Sequence, residues 1–144
     1  MRYIQGSGYD PMVRAALLRD PLVIYTRDAA GQTWLHKYAG LGEYGCLCLI
    51  LTTDIENCLR QERQRSHYVH SRDRESRTAL HYAAMRGVPA CIRLLLENDA
   101  NTEIEDCEGR QPCDLIAKRY GIYLSGLPGN IEACKHLLLP HVLS

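Results

Sequence analysis

Residues 73–101 read DRESRTALHYAAMRGVPACIRLLLENDAN, and their first half returns 33 residues later as DCEGRQPCDLIAKRYG, starting at Asp106. A third copy, DAAGQTWLHKYAGLGEYGCLCLIL, opens at Asp28, 45 residues ahead of Asp73, which is one 33-residue period plus an insertion of 12. A period of this length decides the architecture before any single side chain is interpreted. Each unit carries two apolar helix faces, and only a neighbouring unit can cover them.

The positions inside one period have separate physical readings. Asp28 and Gly31 suit the first and fourth positions of a type I turn, as do Asp73 with Ser76 and Asp106 with Gly109. Thr33 and Thr78 sit where a hydroxyl can cap a helix, and Pro112 stands at a first helical position, where a missing N–H costs nothing. Gly42 and Gly87 follow about nine residues on, as C-cap glycines able to take positive φ. A second helix then reads from apolar residues at three- and four-residue spacing: Cys46, Leu47, Leu49, Ile50 and Leu51; Cys91, Ile92, Leu94, Leu95 and Leu96; Ala133, Cys134, Leu137 and Leu138.

These segments resemble the ankyrin repeat family, whose pattern is Asp, two free residues, Gly, one free residue, Thr-Pro-Leu-His and a short alanine-rich helix. The resemblance implies an all-α ankyrin-repeat solenoid of about three and a half turn–helix–helix units in a single domain, residues 1–144. Residues 1–27 form an N-terminal partial repeat in this reading, since Asp10 and Pro11 start a helix through Leu18. Residues 28–72 are a repeat with an insertion, 73–105 a repeat, and 106–144 a C-terminal repeat with an insertion. In the first insertion, within TTDIENCLRQERQRSHYVHS, Asp54 is expected to cap an extra helical turn running to about Arg65. The second, KRYGIYLSGLP, lies between Ala117 and Gly129. Both are expected to project as surface loops.

Composition narrows the function. Seventeen basic and 17 acidic residues leave a formal charge of zero, so no global field draws the chain to nucleic acid or an anionic bilayer. The longest apolar run, Cys46 to Leu51, is far short of the roughly 20 residues of a membrane-spanning helix. Seven cysteines, an odd number set mostly in apolar runs, read as small core residues of an intracellular protein, cytoplasmic or nuclear. No phosphate-binding glycine loop, dinucleotide fingerprint or nucleophile elbow is present. The expectation is a non-enzymatic chain with no cofactor and no metal. His36 and His81 stand in the Leu-His position, where the resemblance implies that they bond the turns of adjacent units. A different class of function, metal or nucleic-acid binding, would use the first insertion through Cys58, His67 and His70 or through Arg60, Arg63, Arg65, Arg72, Arg74 and Arg77. Three ligands without a fourth, and arginines interleaved with Asp54, Glu56, Glu62, Asp73 and Glu75, speak against both.

The resemblance also implies a concave face built from turn tips and first helices. Carried onto this sequence it comprises Ala29, Ala30, Gln32, Gly40 and Leu41; Arg74, Glu75, Arg77, Met85 and Arg86; and Cys107, Glu108, Arg110, Lys118 and Arg119. Six basic residues there face two acidic ones, so the expected partner is a protein with an acidic segment, anchored near Met85 and Leu41. Trp34, in place of the family's proline, is a further candidate anchor. The C-terminal run HLLLPHVLS offers Leu139, Val142 and Leu143 for packing or for a homodimer. In size the chain is similar to two regulatory types of the family: inhibitor-of-κB-like proteins, which mask a transcription factor, and small cyclin-dependent kinase inhibitors.

Overall fold

A computed structural model describes residues 11–61, 66–116 and 128–138. Its elements are α1 (Pro11–Arg19), a 3-10 helix (Pro21–Tyr25), α2 (Trp34–Leu41), α3 (Tyr44–Gln61), α4 (Ser66–Val69), α5 (Ala79–Arg86), α6 (Pro89–Glu97), a second 3-10 helix (Pro112–Leu115) and α7 (Pro128–Leu138). No strand occurs among the described residues.

The helices stack in two rows. The first helices form one row, α2 against α5 and α5 against the 3-10 helix Pro112–Leu115. The second helices form the other, α3 against α6 and α6 against α7, and α1 packs on α3. Leu35, Leu47, Ile50, Leu80, Ile92 and Leu95 are buried between the rows. Removing such apolar area from water contributes about 25 cal/mol per Å² and supplies most of the drive to stack. Cys46, Cys91 and Cys134 occupy the same place in successive second helices and are buried in that row. Burial pushes the Cys91 thiol up to about 12 and Cys134 up to about 11, which makes both poor nucleophiles.

Each unit opens with the same turn. The Asp28, Asp73 and Asp106 carbonyls accept from the N–H three residues on, at 2.9–3.0 Å. One carboxylate oxygen of each accepts two further amides: Ala30 and Gln32, Glu75 and Arg77, Glu108 and Arg110. The fourth residue is left-handed in every turn, with φ of 78° at Gly31, 62° at Ser76 and 78° at Gly109. Only Ser76 carries a Cβ there. Successive turns are linked through their backbones, Arg74 N–H to the Ala30 carbonyl at 3.0 Å and Cys107 N–H to the Glu75 carbonyl at 2.9 Å.

The histidines fasten the units more deeply. His36 Nδ1 accepts the Thr33 N–H at 3.0 Å, closing a capping box at the start of α2. The ring therefore carries its proton on Nε2, which donates to the Arg77 carbonyl of the next unit at 2.9 Å. His81 repeats the arrangement with Thr78 and the Arg110 carbonyl, again at 3.0 and 2.9 Å. In the last unit Asp114 accepts from Gln111 N–H, keeping the cap but having no second donor to pass on.

Three expectations need correction. Asp54 does not cap a helix: α3 runs unbroken for 18 residues, because no Gly or Pro interrupts 46–61, and Asp54 lies buried in its interior. Its carboxylate accepts from the Tyr25 hydroxyl and from Cys58. The described part of the first insertion does not project as a loop but packs onto the N-terminal cap. Tyr68 donates to the Ile24 carbonyl at 2.7 Å and meets Tyr25 edge-on at 4.9 Å, while Asn57 donates to the Pro21 carbonyl at 3.0 Å. Finally, the helix opened by Pro112 is a four-residue 3-10 helix that ends at Leu115, before Ile116 with a ψ of 117°. Residues 1–10, including the expected helix start at Asp10, residues 62–65, residues 117–127, which hold all of the second insertion but Pro128, and residues 139–144 lie outside the described residues.

Two outcomes follow from the turn and the imidazoles. Ser76→Gly removes a Cβ from a left-handed position and should stabilise the fold by roughly 0.5–1 kcal/mol, read from denaturant melts. A loss of stability would contradict the strained turn. Burial holds both His36 and His81 below their ordinary 6.5. The unfolded chain therefore takes up protons first as pH falls, so stability is full above about 6.5 and declines below it. Urea midpoints should be lower at pH 5.5 than at 7.5, with the difference roughly halved in His81→Gln.

Candidate protein interface

Between the α5 row and the turn tips lies a groove of about 360 Å³ that crosses two repeat junctions. Tyr82, Met85 and Leu115 form its floor; Gln32, Glu75, Arg77 and Arg110 form its walls. The walls are organised around the opening aspartates. In each unit one carboxylate oxygen is committed to the turn amides, and the other takes a partner that differs from unit to unit. Asp28 pairs with Lys37 at 3.5 Å, Asp73 accepts from the Tyr82 hydroxyl, and Asp106 meets Arg77 at 3.3 Å and Arg110 at 3.4 Å. Lys37, Tyr82 and Leu115 occupy one repeat position, nine residues after the Asp. Where that position is Leu115, the two arginines serve Asp106 instead.

The electrostatics follow from this. Burial alone would raise Asp106, but the Arg110 and Glu108 amides together with Arg77 outweigh it and hold the carboxyl at about 2. Burial, with the hydrogen bond to Asp73, pushes the Tyr82 hydroxyl up to about 12. That hydroxyl also accepts from the Gln32 amide at 3.0 Å, joining the first unit to the second, and the Arg77 guanidinium lies 5.9 Å from the ring centre. Groups fixed this firmly shape a surface; they do not shuttle protons at neutral pH.

The sites read from the sequence are distributed unevenly. Arg74, Glu75 and Glu108 are exposed at the turn tips. Leu41 is 57% exposed at the end of α2, and Arg86 is half-buried close beside Gly42. Met85 is only 4% exposed, so it is floor and not a projecting anchor; its side chain points between α5 and its neighbours. Trp34 is half-buried against the core, its ring 6.1 Å from Tyr38. Lys118 and Arg119 lie outside the described residues. Arg77 pairs with Glu75 at 3.1 Å as well as with Asp106, and Arg110 pairs with Glu108. The expected basic excess is therefore reduced: Asp106, absent from the sequence count, sits within it, and among the described residues four arginines meet three carboxylates. Tyr82 and Leu115 were missed, although their shared offset from the opening Asp was available in the sequence.

The rival site in the first insertion is used internally where it is described. Cys58 is buried against Asp54, His70 accepts the Asn101 N–H at 3.0 Å, and Arg60 donates to Asn57. Among the described residues no three His, Cys, Asp or Glu side chains group as metal ligands, and no described helix is long and apolar enough to cross a membrane. The side chain of His67, with Arg63 and Arg65, lies outside the described residues.

Two rows of short helices, linked turn to turn and grooved along one side, define a stacked helical repeat protein. A family model of ankyrin repeats (3 copies) matches residues 58–142, more than half of the chain, and the chain belongs to the ankyrin repeat family. The Asp28 opening and α2 precede the matched residues yet reproduce the same turn and the same histidine bridge. No curated protein matches the chain. Ankyrin repeats generally mediate protein–protein interaction and are typically not enzymatic.

The unequal partners of the aspartates can be separated by mutation. Tyr82→Phe deletes a buried hydroxyl that bonds Asp73 and Gln32, and should cost roughly 1–2 kcal/mol. Lys37→Ala removes only an exposed pair and should leave the denaturation midpoint where it is. Equal effects would contradict the assignment of Tyr82 as the junction's polar link.

Proposed function

We propose that the chain is an intracellular interaction module that holds or masks a protein partner along the concave face, with an acidic segment of the partner reaching Arg74 and Arg86. The observation that carries this reading is the groove itself, which has an apolar floor and crosses two junctions with arginines on its walls. Arg77 and Arg110 contribute by exchange. Their outer partners Glu75 and Glu108 are exposed, and exposed ion pairs are worth only about 0–1 kcal/mol, so carboxylates of a partner can replace them at little cost. Leu41 supplies an apolar contact beside Arg86. The odd number of cysteines supports a reducing compartment, cytoplasmic or nuclear. Masking of a transcription factor, in the manner of inhibitor-of-κB-like proteins, is the regulatory role this reading favours over kinase inhibition, because an insertion after a second helix, here that of the Asp28 unit, is similar to short members of that type.

Affinity capture from lysate, run with the wild-type chain and with Arg74→Glu/Arg86→Glu, tests the surface. The captured partner should bind the double variant severalfold more weakly at low salt, with helicity unchanged. Equal affinity would reject this face.

A further inference from the structure

Three arginines gather where the first opening turn meets the second. Arg27 is exposed, yet its guanidinium is held: Nη1 donates to the Gly31 carbonyl and to the Arg72 carbonyl, each at 2.8 Å. Its Nε and Nη2 form no bond among the described residues and together make a bidentate edge for an outside anion. Arg72 and Arg74 flank buried Asp73 and are both exposed. The Arg74 stem crosses the same turn, its Cγ 3.3 Å from where a Cβ on Gly31 would stand. Among the described residues neither Arg72 nor Arg74 has an ion pair.

The carboxylates close by are committed. Asp28 gives one oxygen to the Ala30 and Gln32 amides and the other to Lys37. Asp73 is taken by the Glu75 and Arg77 amides and by the Tyr82 hydroxyl. Four cations (Arg27, Lys37, Arg72, Arg74) thus meet two carboxylates at this junction, an excess of two. The excess ends there, because at the second junction Arg77 and Arg110 face Glu75, Asp106 and Glu108. A basic surface one turn wide suits a single compact anion and is too short for the row of phosphates that a nucleic acid presents. It also adjoins the concave groove, since Gln32 and Glu75, the residues after Gly31 and Arg74, line that groove.

We propose that the partner segment is phosphorylated and seats one phosphomonoester on Arg27, Arg72 and Arg74, a proposal that rests on the reading of the concave face as the partner site. A carboxylate would bring one charge and two oxygens. A phosphomonoester brings a charge of about −1.5 to −2 and three acceptor oxygens, which three guanidiniums can share. The Arg27 head is already fixed by its two carbonyls, so less side-chain freedom is lost on binding.

Titration of the ¹⁵N-labelled full chain at low salt with blocked alanine pentapeptides tests this, the central residue being phosphoserine, phosphotyrosine or glutamate. A phosphopeptide should shift the amides of Gly31, Arg72 and Arg74 and the Arg27 Nε resonance, and bind at least about fivefold more tightly than the glutamate peptide. Arg72→Gln/Arg74→Gln removes no ion pair among the described residues and should weaken that binding at least about tenfold. Arg93→Gln, at an exposed residue of α6, should leave it unchanged. Equal affinity for the glutamate peptide, shifts confined to other residues, or no binding of either phosphopeptide up to about 10 mM overturns the proposal. Tighter binding of a thymidine oligonucleotide, with shifts spread over all three opening turns, overturns it in favour of nucleic acid. The acidic-segment reading is judged separately. Phosphatase treatment of the captured partner should weaken its binding severalfold; undiminished binding that still falls in Arg74→Glu/Arg86→Glu keeps that reading and rejects the phosphate.

Discussion

An imidazole bonded on both sides is the constraint on which the stack depends. His36 and His81 each accept a helix-capping amide from their own unit and donate to a carbonyl of the next. Apolar burial supplies more free energy than these bonds, since a hydrogen bond contributes only about 1 kcal/mol net. Burial, however, is non-directional and would tolerate small slides of one unit along another. The ring removes that freedom. Slippage would leave a buried carbonyl and a buried N–H without partners, at about 1–3 kcal/mol each. Register then fixes everything outside it: the turns meet through Arg74 with Ala30 and Cys107 with Glu75, and the groove floor forms where Tyr82, Met85 and Leu115 come together.

Division of labour within one carboxylate explains how such a uniform frame carries a varied surface. The oxygen that binds the turn amides has the same partners in all three units, because it holds a backbone conformation that every unit needs. The other oxygen is satisfied by a lysine, a tyrosine or an arginine pair. Side chains at this second oxygen can change without disturbing the turn, so the surface is varied where the frame is indifferent.

Local rules made most of the frame legible in the sequence. The opening aspartates, the Thr caps and the C-cap glycines each depend on chemistry within a few residues, and Gly42 and Gly87 take the positive φ their position requires, 71° and 79°. Asp54 was misread because it looks like an N-cap in isolation, whereas its partner, Tyr25, lies 29 residues away. The charge of the concave face was overcounted for a related reason. Arg77 meets Asp106 only when one unit is stacked against the next, while Arg110 is paired with Asp106 and Glu108 of its own unit. Met85 likewise counts as surface in a single unit and becomes floor once α2 and the third unit close around α5.

The tautomeric state of the two bridging histidines tests the central claim most directly. Long-range proton–nitrogen correlation spectra of the ¹⁵N-labelled chain at neutral pH distinguish a ring protonated on Nε2 from one protonated on Nδ1. His36 and His81 should each show a single Nε2–H tautomer, with that proton slow to exchange and coupled to its own unit's neighbour. Protonation on Nδ1, or rapid averaging between the two nitrogens, would mean that the imidazoles do not bridge the units, and the account of register would fail.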